Sequence, residues 1–136
     1  MADLSLSFRN DFSELSAVAE KISHFLESHE VSADAVFAAN LAVEELVTNI
    51  IKYGYDDKAE HLIEVNLSLA DQKLAIEIRD DGHEFDPFSQ PEPDTSLPAA
   101  ERDIGGLGIH FVRKMLDSCL YERRDGANIV SVTKNL

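Results

Sequence analysis

Glu45, Asn49 and Lys52 stand four and three residues apart within residues 41–54, Leu-Ala-Val-Glu-Glu-Leu-Val-Thr-Asn-Ile-Ile-Lys-Tyr-Gly. In a helix this spacing brings a carboxylate, an amide and an amine to one face. A polar stripe is ordinarily the solvated side of an amphipathic helix. Here Val43, Leu46, Val47, Ile50 and Ile51 flank it so closely that the stripe is expected to be buried and to meet a partner. The three groups suit a cation with a phosphate chain, because an amide oxygen ligates a hard metal ion and an amine meets phosphate oxygens.

Two further groups carry chemistry. Residues 73–80 alternate, with Leu74, Ile76 and Ile78 on one face, and the period of two carries Asp80 to that same face at the strand's end. The alternation leaves two readings open: a buried carboxylate that requires hydrogen-bond donors, or an exposed turn residue beyond the strand. Residues 82–104 hold Pro87, Pro91, Pro93 and Pro98 among acids and small polar residues. That segment has the length of functional lids or disordered loops rather than of connectors. Gly105, Gly106, Leu107 and Gly108 close it and open a helix whose Ile109, Val112 and Leu116 share a face. Small residues at a helix start let backbone N–H groups approach an anion, where the helix dipole also favours negative charge. A flexible hinge is the other reading of such a cluster.

The elements that position these groups follow from the same periodicities. Leu4, Leu6 and Phe8 alternate as a short strand. Asp11 and Glu14 resemble a capping box ahead of a helix carrying Phe12, Leu15, Val18, Ile22 and Phe25, which ends near His29. Ser32 is the expected N-cap of the second helix, and Gly54 its expected left-handed end. Ile63, Val65, Leu67 and Leu69 form a strand that turns back at 70–72 into residues 73–80. Two strands, roughly 118–123 and 128–132, close the chain around a turn at Asp125 and Gly126. This order predicts an α/β (α+β) two-layer sandwich, with a mixed, mainly antiparallel sheet and its helices on one face.

At 136 residues the chain is most simply one domain, 1–136, able to bury about two thirds of its unfolded surface. The single cysteine, Cys119, excludes an internal disulfide and reads as a small core residue. The five histidines show no metal-ligand spacing. With no basic leader followed by an apolar run, and no apolar stretch near the ~20 residues of a membrane span, the expected location is cytoplasmic. A formal charge of −14 opposes non-specific attachment to nucleic acid or anionic lipid, so an extended partner is expected to be protein.

Taken together, three separated segments resemble the three boxes of the Bergerat-fold, or GHKL, ATPases, over almost the whole chain. Glu45, Asn49, Lys52 and Tyr53 resemble the first box, and Asp80, Asp81 and Gly82 the aspartate-x-glycine box. Gly105, Gly106, Leu107 and Gly108 resemble the glycine box that follows an ATP lid, here about 83–104. The phrase Asp81-Gly82-His83-Glu84-Phe85-Asp86-Pro87, in a chain read as a standalone domain, is further similar to the bacterial anti-sigma-factor serine kinases. Two positions depart from the pattern. Glu84 stands where another glycine is usual, which implies a stiffer first hinge. Tyr53 stands where the serine kinases often have histidine, so that Asn49, Lys52 and Tyr53 look more like sensor histidine kinases.

The resemblance implies an ATP- and Mg2+-dependent serine protein kinase acting as an anti-sigma regulatory factor. Such a protein binds a sigma factor, phosphorylates a serine on an anti-anti-sigma (STAS-type) partner, and is a homodimer. On this resemblance Glu45 would be the general base, Asn49 would ligate Mg2+ and Lys52 would neutralise phosphate charge. Asp80 would accept the adenine amino group, and Gly82 would let the backbone pass beside the base. Gly105, Gly106 and Gly108, with Leu107 between them, would cradle the phosphates. Thr133, or else Ser131, would reach the adenine through water. Arg102 either reaches the γ-phosphate when the lid closes or is an exposed lid arginine. Two other functions stay open: a nucleotide-gated protein-binding switch without kinase activity, and a detached histidine-kinase catalytic domain. The second would need a helical pair with an acceptor histidine ahead of the domain, whereas His24 is expected on the first helix inside it.

Overall fold

In the computed structural model, which describes residues 2–89 and 104–136 and only the backbone of 104–107, the alternating segments are strands and the 3.6-residue patterns are helices. The order is β1 (Ala2–Arg9), α1 (Leu15–Ser28), α2 (Ala33–Tyr53), β2 (Leu62–Ala70), β3 (Lys73–Asp80), α3 (Ile104–Met115), β4 (Ser118–Arg124) and β5 (Ala127–Asn135). The strands form one sheet in the order β1-β2-β3-β5-β4, and every neighbouring pair is antiparallel. The expected mixed sheet is thereby corrected to a wholly antiparallel one. Its physical reason lies in two tight hairpins. Asp71 and Gln72 (φ 54° and 60°) turn β2 into β3, and Asp125 and Gly126 (φ 53° and 78°) turn β4 into β5. Consecutive positive φ values match the twist of the flanking strands.

One face of the sheet meets the helices. Ile63, Val65 and Leu67 of β2, Leu74, Ile76 and Ile78 of β3, and Val130 and Val132 of β5 are buried against Ile22 and Leu26 of α1 and Val43, Leu46, Val47 and Ile50 of α2. Each such side chain contributes about 1.5–3 kcal/mol by leaving water. The opposite face carries Glu64, Asn66, Ser68, Glu77 and Arg79, so a slip of one residue would exchange core for solvent.

The ends of the helices differ in detail from the expected caps. Asp11 caps a single 3-10 turn (Phe12–Glu14), accepting from the Ser13 N–H at 2.9 Å. The Glu14 carboxylate turns instead to the Arg9 guanidinium at 3.3 Å, so no reciprocal capping box forms. Ser32 does cap α2, its hydroxyl oxygen accepting from the Ala35 N–H at 3.3 Å. Gly54 ends α2 in a right-handed conformation (φ −82°), not the expected left-handed one. The two glycines answer to different close approaches, and a Cβ on Gly54 would crowd the Ile50 carbonyl oxygen of its own helix at 2.6 Å. The His83 N–H donates to the Gly54 carbonyl at 2.9 Å, and a Cβ on Gly82 would overlap that carbonyl oxygen. The end of β3 is thus fastened to the end of α2, which brings Asp80 and Asn49 to the same place. Among the described residues no helix is long and apolar enough to cross a membrane.

Replacing Gly82 with Ala forces two backbone segments apart, and is expected to lower stability by about 1–3 kcal/mol. Urea unfolding measures this directly; an unchanged midpoint and slope would show that the contact between Gly54 and Gly82 does not constrain the fold.

Candidate functional site

Asp80 lies on the inner face of β3, 5% exposed, at the point where the strand leaves the core. Two donors converge on its Oδ1: the Gly82 N–H at 2.8 Å and the Asn128 Nδ2 at 3.0 Å. Asn128 faces Asp80 directly across the pairing of β3 with β5, and is itself 3% exposed. Burial pushes the Asp80 carboxyl up, while the hydrogen bonds from Asn128 and Gly82 hold it down. No hydrogen bond to the second oxygen, Oδ2, is made among the described residues.

A narrow pocket opens beside this pair, lined by Leu46, Asn49, Ile50 and Gly54 of α2 and its cap, Asp80, Phe85, Pro87, Asn128 and Val130. Its walls are apolar except where Asn49, Asp80 and Asn128 reach it. Apolar walls with a few converging polar atoms are the make-up of small-molecule pockets. Phe85 and Pro87 belong to the segment after Gly82 and form one wall. The same segment is fixed at Phe88, which lies 5.8 Å from the Arg113 guanidinium of α3.

The stripe on α2 grades from buried to exposed. Asn49 is 7% exposed and lines the pocket, Glu45 one turn earlier is half-buried, and Lys52 one turn later is exposed, as is Tyr53. The expectation of a wholly buried stripe is corrected at Lys52, because Ile50 and Gly54 take the covered face of the last turn of α2 and Lys52 lies off it with Tyr53. Burial, reinforced by the charge of Glu44 and opposed by that of Lys52, raises the Glu45 carboxyl above its ordinary range. Facing it is the first turn of α3. A Cβ on Gly108 would overlap the Glu45 carboxylate, so glycine there makes room for the acid. The backbones of Gly105, Gly106 and Leu107 complete that turn. Of the expected lid, residues 90–103, and Arg102 with them, lie outside the described residues.

Thr133 and Ser131 are not brought to the site. Register decides this. Asp80 pairs with Asn128, whereas Thr133 pairs with Ala75 and Ser131 with Glu77, both on the outer face of the sheet. Thr133 is engaged there with the Ser118 hydroxyl. The residue at the place expected for Thr133 is Asn128, and two neighbours on β4 hold it. The Tyr121 hydroxyl donates to Asn128 Oδ1 at 2.6 Å, and the Arg123 guanidinium donates to Asn128 Oδ1 at 3.2 Å and to the Gly82 carbonyl at 2.7 Å. The signal for Asn128 lay in its period-two relation to Val130 and Val132, which puts an amide on a buried face.

His61, just before β2, ties the loop after α2 to the end of β3. Its Nε2 meets Asp57 at 2.7 Å and its Nδ1 meets Asp81 at 3.1 Å, while its ring stacks on Tyr55 at 4.2 Å between centroids. The hydrogen bond to Asp57 chiefly raises the imidazole above its ordinary value, and the same bond lowers the Asp57 carboxyl.

Residues 8–134 match the family described as Histidine kinase-like ATPase domain. The chain is 24% identical over 137 residues to the serine/threonine-protein kinase BtrW of Bordetella bronchiseptica, covering 96% of each chain. It is 30% identical to an anti-sigma F factor of Oceanobacillus iheyensis, over 85% of this chain and 80% of that one. It is 25% identical to the serine-protein kinase RsbW of Listeria monocytogenes, over 73% of this chain and 66% of that one. The solved structure of the RsbU and RsbW domains of Rv1364c from Mycobacterium tuberculosis superposes with a TM-score of 0.71 at 13% identity, covering 100% of this chain and 33% of that longer one. The last likeness concerns the fold.

The His61 pair sets a pH dependence. Because the folded imidazole titrates above its ordinary 6.5, its contribution is full below that pH and is lost as pH rises through the raised value. Asp57, lowered from 3.8, keeps its part until pH falls below that range. The stability gap between the protein and a His61→Gln variant is therefore expected to be wide at about pH 5.5 and narrow at about pH 8.5 in urea unfolding. A gap independent of pH would contradict the assignment.

Proposed function

The chain belongs to the histidine kinase-like ATPase domain family, and on that premise we propose that it is an ATP- and Mg2+-dependent serine protein kinase of the anti-sigma type. Its partners are then a sigma factor or similar regulator, which it holds, and a STAS-type protein, whose serine it phosphorylates in the cytoplasm. The observation that carries this reading is the buried Asp80 carboxylate at the head of an apolar pocket whose other wall is the helix of Asn49 and Glu45. The names of the relatives, anti-sigma F factor and serine-protein kinase, support the class of activity and partner.

Bound ATP with Mg2+ supplies the transferable phosphoryl group. The chain's own residues fit that group. Asp80 Oδ2 would accept from an exocyclic amino group, and Leu46, Ile50, Val130 and Phe85, which line the pocket, would flank an apolar ring. Among the described residues no cluster of three or more His, Cys, Asp or Glu side chains is placed to hold a metal. The Asn49 amide oxygen would hold Mg2+, an ion that keeps few protein ligands when it accompanies a phosphate chain. Backbone N–H groups of Gly105 and Gly106 at the start of α3 would meet phosphate, together with the Lys52 ammonium at the mouth. We read 83–104 as the lid over this end of the site. Glu45, one turn from Asn49 and with its carboxyl raised by burial, would accept the serine proton.

Replacing Glu45 with Gln removes the base and keeps the shape. Phosphoserine on a STAS-type partner, followed by mass spectrometry, is expected to fall by about a hundredfold or more, with ATP affinity within about threefold of the unaltered protein. Undiminished transfer would overturn the role of Glu45. Regulation of the partner by an unaltered protein that transfers no phosphate would show a nucleotide-gated binding switch instead.

A further inference from the structure

We propose that Asn128, clamped by Tyr121 and Arg123, sets the polarity of the nucleobase site: it leaves Asp80 presenting an ionised acceptor and so selects a base that offers an amino group. This rests on the nucleotide reading above and adds to it a positioning residue outside the recognised boxes.

The amide of Asn128 has only one workable orientation. Its Oδ1 receives the Tyr121 hydroxyl at 2.6 Å, the Arg123 Nη1 at 3.2 Å and the Phe85 N–H at 3.4 Å. Its Nδ2 donates to Asp80 Oδ1 at 3.0 Å and to the His83 carbonyl at 2.8 Å. A flipped amide would turn its N–H groups onto a guanidinium and a backbone N–H, and its oxygen onto a carboxylate and a carbonyl. All of these contacts are repulsive, so the network itself fixes which end faces Asp80. Arg123 also holds the Gly82 carbonyl, which keeps the Gly82 N–H on the same Asp80 oxygen.

The consequence for Asp80 is asymmetric. Oδ1 is engaged by two donors, and the pocket is left with Oδ2. A buried carboxyl tends to keep its proton, and the donor from Asn128 is what opposes that tendency most strongly here. A protonated Asp80 would present an O–H donor, suited to a carbonyl on the base. An ionised one presents only an acceptor, which an amino group satisfies and a carbonyl oxygen repels. The β4–β5 hairpin thereby governs base choice although the strand residue that meets the base belongs to β3.

Affinities for ATP and for inosine triphosphate, which carries a carbonyl in place of the 6-amino group, test this by calorimetry. The unaltered protein is expected to prefer ATP by about tenfold or more. In Asn128→Val, a β-branched replacement suited to the strand, the ratio is expected to fall toward unity. Tyr121→Phe, which keeps the amide and loses one of its clamps, is expected to lie between the two, and provides the readout should the first variant fold poorly. Thr133→Val, on the outer face, is expected to keep the original ratio. Merely structural damage weakens both nucleotides equally, so an unchanged ratio in Asn128→Val and Tyr121→Phe would overturn the proposal. An unaltered protein that binds ATP without preferring it would also overturn it. An unaltered protein that binds neither triphosphate would instead overturn the nucleotide reading, and the proposal with it.

Discussion

A carboxylate placed among aliphatic side chains at the end of a strand must be met by donors or lose its charge. Asp80 is in that position, and much of the molecule around it is arranged to meet it. The Gly82 N–H reaches back two residues, and Asn128 reaches across from β5. Tyr121 and Arg123 then fix Asn128, and the Gly54–Gly82 contact fixes the turn that carries the backbone donor. The same contact sets the end of α2 beside the end of β3, so Asp80 and the polar stripe of α2 are positioned by one junction.

This arrangement has a thermodynamic cost that its neighbourhood partly offsets. A carboxyl raised on folding makes the native state less stable above its unfolded titration range than a neutral group there would. His61 with Asp57 and Asp81 acts in the opposite sense near neutrality, pinning the loop after α2 to the strand end that the buried charge strains. The sheet and helix core, with Ile22, Leu26, Val47, Ile63, Val65, Leu67 and Leu74 fully excluded from water, tolerates such a site because its apolar surface is extensive and continuous.

Local periodicity made the elements and half of the site legible. A period of 3.6 put Glu45 and Asn49 on one face of α2, and a period of two carried Asp80 to the inner face of β3. What local pattern does not encode is which strand position faces which across the sheet. Thr133 was a reasonable candidate by type, yet the pairing of Asp80 with Asn128 puts it several residues away on the other face. Asn128, Tyr121 and Arg123 act together only because the β4–β5 hairpin turns at Asp125 and Gly126 and docks beside β3. Gly54 is no left-handed cap: its backbone is right-handed, and a Cβ there would crowd the Ile50 carbonyl oxygen of its own helix, while the approach across to β3 requires glycine at residue 82. Lys52 projects to solvent because Ile50 and Gly54 occupy the covered face of the last turn of α2.

Calorimetric titration with a non-hydrolysable ATP analogue, with and without Mg2+, in the unaltered protein and in Asp80→Asn, tests the central claim most directly. Asparagine keeps the size of the side chain and one acceptor for Gly82 and Asn128, but turns an N–H2 group toward the pocket. Mg2+-strengthened binding at one site per chain is expected, weakened by about tenfold or more in a variant that remains folded. Equal binding by both proteins, or none by the unaltered one, would contradict it.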